Sequence, residues 1–366
     1  MLAKLRKKNR TMIGAVVLLI AMFGLVGCGG GGGNASTPGN DSSSNPSSNQ
    51  PTVTWRLQSI YSPNTMQDQM GIMIKEELEK ATNGRLKIEI YPPGGLAPVN
   101  DTVTMLSQGA YDMAVTFGNT FAGVIPEGDL EAGLPFAWQS ADEVYDAMEN
   151  RGLGDLIQEA YDELGINWYW MAHEPNYNAL TTFPVKSVND FKGKKIRALG
   201  VWGKYYDKLG AATVALPGPE VYQALQLGTI NGAHYGWSSL EDNKLDEVVD
   251  YNVKPTAAFI SMAILINQDS LNALPDDLKA IVESTTKTAT MGPISNWHVV
   301  ATKNAVRTSE QKGTVTPQML SDADVEIMRK AAMEVWDELA AKSDRMAKGI
   351  EILKKQSRDY GRSVDF

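Results

Sequence analysis

Asp190-Phe191-Lys192-Gly193-Lys194-Lys195-Ile196-Arg197-Ala198 opens the stretch that decides the fold. It continues through Leu209-Gly210-Ala211 to Pro219-Glu220-Val221-Tyr222-Gln223-Ala224-Leu225-Gln226-Leu227-Gly228-Thr229-Ile230-Asn231-Gly232. Residues 195–199 alternate, with Ile196 and Ala198 on one face of a strand and Arg197 on the other. Gly200 punctuates that strand, and a helix ending at Gly210 follows. Residues 214–216 read as a second short apolar strand. Pro219 presets φ for a first helical turn, Glu220 stands beside it at the positive helix end, and Gly228 closes the helix. Ile230 begins a third strand. Strand, helix, strand, helix, strand argues a parallel sheet with crossover helices.

In such a sheet, ligands bind beyond the carboxyl ends of the strands. Arg197 lies near the end of the first strand, where its side chain can enter a cleft. A guanidinium is a rigid fork that matches a carboxylate with two parallel hydrogen bonds. The pattern alone leaves two roles open: a ligand fork, or a solvated or structurally paired arginine.

Upstream, a second unit of the same kind is legible. Residues 55–58 and 86–90 alternate as strands, 66–82 carry apolar residues at helical spacing, and Asn83-Gly84 stops that helix. Residues 103–108 form a short helix ended by Gly109, and 113–117 a third strand with Gly118-Asn119 at its end. Tyr61-Ser62-Pro63-Asn64 is a turn whose side chains can face a cleft. Residues 141–164 read as helix and 166–171 as a strand running between lobes, while 258–266 form an apolar strand of the first lobe. Residues 269–289, 297–311 and 322–339 read as helices, and Met346, Ile350 and Leu353 extend the last amphipathic pattern.

The stretch 190–232 resembles the signature of the solute-binding proteins of tripartite ATP-independent periplasmic (TRAP) transporters, the DctP family. The resemblance lies in the Gly-x-Lys-x-Arg strand, the Leu-Gly-Ala helix end, and the Glu-Val-Tyr-x-Ala-Leu-Gln helix with its following turn. Thr82-Asn83-Gly84-Arg85-Leu86, Tyr91-Pro92-Pro93-Gly94-Gly95-Leu96, Gln108-Gly109-Ala110-Tyr111-Asp112 and Leu274-Pro275-Asp276-Asp277 extend it over roughly residues 52–300. It implies a two-lobed α/β periplasmic binding protein, type II-like, with parallel-dominated sheets in each lobe, hinge strands and a long C-terminal helix. The expected lobes are 52–173 with 254–290, and 174–253 with 291–366.

The resemblance also implies the site. In that family the arginine corresponding to Arg197 binds the ligand carboxylate, and the residues after Gly232 line the cleft. One branch, which binds 2-oxo acids, has Glu-Trp where this chain has His234-Tyr235, and that Glu helps hold a metal; its replacement here argues against a bound hard cation. Sialic-acid-type members carry another arginine at the position of Ala179, so a ligand with one dominant carboxylate is expected. Tyr235 and Trp237 are expected as aromatic cleft walls. His234 is expected as a wall residue or ligand contact, and Trp202 as the cleft candidate among the aromatics after Arg197. Asn119, Asn178 and Glu174 sit near strand ends or the lobe crossing and are candidates for hydrogen bonds to the ligand.

At the amino end, Lys4, Arg6, Lys7, Lys8 and Arg10 precede an apolar run, residues 12–26, that is shorter than a membrane span of ~20 residues. Leu25-Val26-Gly27-Cys28 matches a bacterial lipoprotein processing box, so residues 1–27 read as a signal peptide and Cys28 as the lipidated residue. Cys28 is the single cysteine, which excludes an intrachain disulfide. Residues 28–51, rich in Gly, Ser, Asn and Pro, read as a flexible tether. Loss of the five basic signal residues takes the formal charge from −9 to −14, which argues against nucleic acid.

The expected function is capture of an organic acid and its delivery to membrane permease subunits, by a monomer that needs no cofactor. A sensory lipoprotein would share the same cleft. A secreted enzyme has little support: none of His173, His234 and His298 sits in His-Glu-x-x-His, and no Gly-x-Ser-x-Gly elbow is present.

Overall fold

The computed structural model describes residues 52–172 and 177–364. Glu174 and the lipidation candidate Cys28 lie outside the described residues. The first run of elements is β1 (Val53–Ser59), α1 (Met66–Ala81), β2 (Leu86–Tyr91), α2 (Thr102–Ser107), β3 (Met113–Thr116), α3 (Gly128–Ala132), α4 (Ala141–Tyr145), α5 (Leu153–Asp162) and β4 (Ile166–Ala172). The second is β5 (Tyr177–Thr181), β6 (Lys195–Arg197), α6 (Gly200–Lys208), β7 (Ala212–Val214), α7 (Val221–Gln226), β8 (Gly232–Gly236), α8 (Ser239–Asp242) and β9 (Tyr251–Lys254). The chain then returns through β10 (Ser261–Asn267), α9 (Gln268–Asn272), α10 (Asp276–Ala289), α11 (Ser295–Lys312), β11 (Thr316–Met319), α12 (Asp322–Ala340) and α13 (Asp344–Asp359).

These strands make two sheets, one per lobe, in the orders β2-β1-β3-β10-β4 and β11-β9-β5-β8-β6-β7. Each lobe keeps the parallel unit read from its sequence. β1 pairs in parallel with β2 and β3, and β6 with β7 and β8. β11 also pairs in parallel with β9, so parallel pairings outnumber antiparallel ones in the second sheet and equal them in the first, and both sheets are mixed. β10 runs antiparallel to β3 and β4, and β5 runs antiparallel to β8 and β9. β5 and β10 are the strands by which the chain arrives from the opposite lobe. The expected inter-lobe strand at 166–171 is β4, an edge strand of the first sheet paired with β10.

Packing follows from apolar faces. α1 and α10 lie together over one side of the first sheet, where Met70, Ile74, Leu78, Leu278 and Val282 are buried. β10 carries seven consecutive buried residues, the pattern of a strand covered on both faces. In the second lobe α6 packs on β7, and α12 lies on α6.

Within 291–366, α11 packs on β4 and α1 of the first lobe and also touches α8 of the second, while α13 packs on α3 and α5 of the first lobe. Met346, Ile350 and Leu353 of α13 are buried there. Gly349 lets the helix come so close that an added Cβ would overlap the Leu130 side chain. The Trp138 indole N–H donates to Gln356 at 3.1 Å, fixing the same interface.

Candidate ligand-binding site

The carboxyl end of β6 delivers Arg197 into the space between the lobes. β6 lies between β7 and β8, with Arg197 paired to Val214 and Ala233. Its side chain turns across those neighbouring strand ends. Nε donates to the Leu216 carbonyl at 2.9 Å and Nη1 to the His234 carbonyl at 3.2 Å. The Tyr235 ring covers it, with the guanidinium carbon 5.0 Å from the ring centroid. Arg197 is only 3% exposed, and two backbone carbonyls pair it structurally. The backbone pins the guanidinium, and the pinned group still lines a cavity.

That cavity holds about 50 Å³. A water molecule needs roughly 10–15 Å³ of such space, so there is room for a few waters or a small solute. The first lobe contributes Tyr61, Ser62, Thr65, Gln67, Asn100, Phe117 and Thr120 to the walls, and the second lobe Tyr177, Leu199, Pro217, Gly218, Tyr235 and Asn243. Arg197 is the single charged residue among the described lining residues. Its charge therefore faces aromatic rings and neutral hydrogen-bonding groups. Burial, followed by the nearby Tyr177 and Tyr235, pushes the Tyr61 hydroxyl well above the usual phenol range, so it stays a neutral donor and acceptor.

Of the residues expected from sequence, Arg197 and Tyr235 line this cavity. His234 does not: its imidazole is buried behind the wall, stacked on Trp202 at 4.1 Å and 4.7 Å from the Tyr177 ring. Burial and then Arg197 hold it well below its ordinary pKa, so it is neutral, and it serves the site through its backbone carbonyl. Trp202 is 1% exposed and forms part of the second-lobe core. Trp237 is also buried, under the Lys254 ammonium at 5.1 Å. The Asn178 amide is paired with the Asn252 side chain at 3.0 Å. Asn119 donates to Asp129 at 2.7 Å and borders a separate groove along Thr120, Leu199 and Pro217.

Several wall residues were not singled out from sequence. Phe117 and Pro217-Gly218-Pro219 lie just beyond β3 and β7, where the strand-end rule could have found them. Tyr61 and Ser62 come from the turn after β1 already noted as cleft-facing. Gln67, Tyr177 and Asn243 carry no local signal.

The profile of the family described as bacterial extracellular solute-binding protein, family 7 (DctP), matches residues 58–343. The monocarboxylate 2-oxoacid-binding periplasmic protein of Nostoc sp. (strain PCC 7120) is 24% identical over 345 residues, 92% of this chain and 90% of its own. The C4-dicarboxylate-binding periplasmic protein DctP of Rhodobacter capsulatus is 26% identical over 236 residues, 62% of this chain and 70% of its own. The crystal structure of a TRAP periplasmic solute-binding protein from Pseudoalteromonas atlantica T6c, with bound sodium and pyruvate, has the same fold. Its TM-score is 0.76 at 22% identity, covering 85% of this chain and 95% of that one.

Hard cations such as sodium and calcium are held by oxygen ligands, and calcium takes roughly six to eight of them with carboxylates prominent. The described lining residues include no Asp or Glu, and the described residues hold no metal-binding group of three or more His, Cys, Asp or Glu. The profile match spans most of the chain, and the two-lobed fold agrees with it. This protein belongs to the bacterial extracellular solute-binding proteins of family 7, the DctP family of TRAP transporters.

Proposed function

We propose that the inter-lobe cavity captures a small organic monocarboxylate and that Arg197 is the group that reads its charge. The observation that carries this is one buried guanidinium in a cavity whose other described walls are uncharged. Two of its five N–H donors are held by backbone carbonyls, which leaves three for a ligand. One carboxylate satisfies that arrangement. A second carboxylate would be buried without a partner, at a cost of several kcal/mol. The aromatic walls suit a flat or apolar ligand body, and Ser62, Thr65, Gln67 and Asn243 suit an oxo or hydroxyl group. The Nostoc relative described as monocarboxylate 2-oxoacid-binding and the neighbour holding pyruvate support the same class.

A thermal-shift panel tests this reading. Small 2-oxo and 2-hydroxy monocarboxylates should raise the melting temperature by mass action, and C4-dicarboxylates should not. A panel in which dicarboxylates stabilise and monocarboxylates do not overturns it. The reading includes hand-over to the permease by a monomer held at the membrane through lipid on Cys28. Mass spectrometry of the mature amino terminus tests the anchor, since an unmodified Cys28 sinks that part.

A further inference from the structure

Each lobe lends a carboxylate to the start of a helix in the other lobe. In the second lobe, α6 begins at Gly200, three residues after Arg197, and its Val201 N–H donates to Asp129 Oδ1 at 2.9 Å. Asp129 belongs to α3 of the first lobe and is 1% exposed. Asn119 donates to the same oxygen at 2.7 Å, and the Lys342 ammonium lies 3.9 Å from Oδ2. Gly200 has a φ of +48°, and an added Cβ there would overlap Asp129 Oδ1, so the close approach depends on glycine. In the first lobe, α1 begins at Met66, and its N–H donates to Asp242 Oδ2 at 2.6 Å. Asp242 closes α8 of the second lobe. Beside it, the Gln67 amide donates to Ser238 at 2.9 Å, again across the cleft.

We propose that Asp129 and Asp242 are reciprocal latches that hold the two lobes shut over the ligand. The first N–H groups of a helix have no partner within it, and the helix end attracts negative charge. An open cleft leaves those groups to water, while closure gives each a carboxylate. The latches adjoin the cavity without lining it: Leu199 precedes α6, and Thr65 and Gln67 flank the first residue of α1. Asp129 and Asp242 are therefore positioning residues, and their effect falls on the closed population and on release of the ligand. Only the statement about release rests on the carboxylate reading above.

The test uses the mature chain with Cys28→Ser and spin labels at two introduced cysteines, on exposed Glu76 of α1 and exposed Gln226 of α7. Distance distributions are recorded for the parent, Asp129→Ala, Asp242→Ala and the double variant, each without addition and with saturating pyruvate. The parent should hold a closed, short-distance population that the single variants reduce and the double variant reduces further. Pyruvate dissociation from the double variant should be at least tenfold faster. Asp129→Asn keeps an oxygen for Val201 and should lie between the parent and Asp129→Ala. Asp242→Ala removes the less buried latch and reports independently if Asp129→Ala melts early. Distributions unchanged by both alanine substitutions overturn the latches. A parent that does not respond to pyruvate or other monocarboxylates counts against the ligand reading instead, because the distances without addition still test the latches.

Discussion

Replacing Arg197 by alanine strikes the one charged group among the described residues of the cavity wall, and the structure sets the size of the effect. Nε and Nη1 each give one hydrogen to the carbonyls of Leu216 and His234, at 2.9 and 3.2 Å. The remaining three N–H groups can give a carboxylate two bonds. A hydrogen bond to a charged partner is worth about 1.5–3 kcal/mol, so losing two costs about 3–6 kcal/mol, or roughly 10²–10⁴ in affinity. Water entering the emptied space can satisfy the two carbonyls, so the fold should survive. Arg197→Lys keeps the charge but replaces a planar fork by a single ammonium. It cannot hold both backbone carbonyls and a bidentate carboxylate, and it should lose at least roughly tenfold. Isothermal titration with the best monocarboxylate from the thermal panel measures both variants, with circular dichroism as the check on folding. A folded Arg197→Ala variant that binds within threefold of the parent refutes the reasoning. So does an Arg197→Lys variant with full affinity, since the fork geometry would then be irrelevant.

Four other substitutions probe the surrounding structure. A Cβ at Gly218 would stand 2.6 Å from the Tyr235 hydroxyl and 3.7 Å from the ring carbon that bears it. Gly218→Ala should therefore push Tyr235 off Arg197 and weaken binding by roughly tenfold, an overpacking cost of about 1–3 kcal/mol. Tyr235→Phe added to Gly218→Ala should restore most of the loss, and titration of the pair decides it. Glu131 is fully buried in α3, accepts from the Tyr161 hydroxyl at 2.5 Å, and is pushed by burial from 4.5 up to about 7. Between those values the folded state binds more protons than the unfolded state, so Glu131 makes stability fall as pH rises from about 4.5 to 7, by at most about 3 kcal/mol. His298, pushed by burial down to about 3, acts in the opposite sense below 6.5. The difference in melting temperature between the parent and Glu131→Gln across this range isolates Glu131, and a difference that is flat with pH contradicts the assignment. Gly349→Ala should cost about 1–3 kcal/mol by driving α13 off Leu130, read as a lowered denaturation midpoint. An unchanged midpoint would mean that this helix interface yields.

Local order was legible in the chain because it is set within a few residues. The alternation at 195–199 became β6, and Gly210 and Gly228 follow helices with φ of +89° and +69°, the left-handed turn that glycine tolerates. The strand-end rule brought Arg197 to the cleft. The family resemblance was legible in the same stretch, and the profile match bears it out.

Tyr235 and the turn carrying Tyr61 were expected at the cleft, but only the tertiary structure brought Phe117 and Tyr177 beside them and buried Trp202 and Trp237 in packing. It also decided that β5 and β10 run antiparallel to their neighbours and that α13 returns to the first lobe. The physical reason is range. Periodicity and capping depend on neighbours a few residues away, whereas the cavity joins residues from Ile60 to Asn243 through two separate sheets and the approach of their lobes.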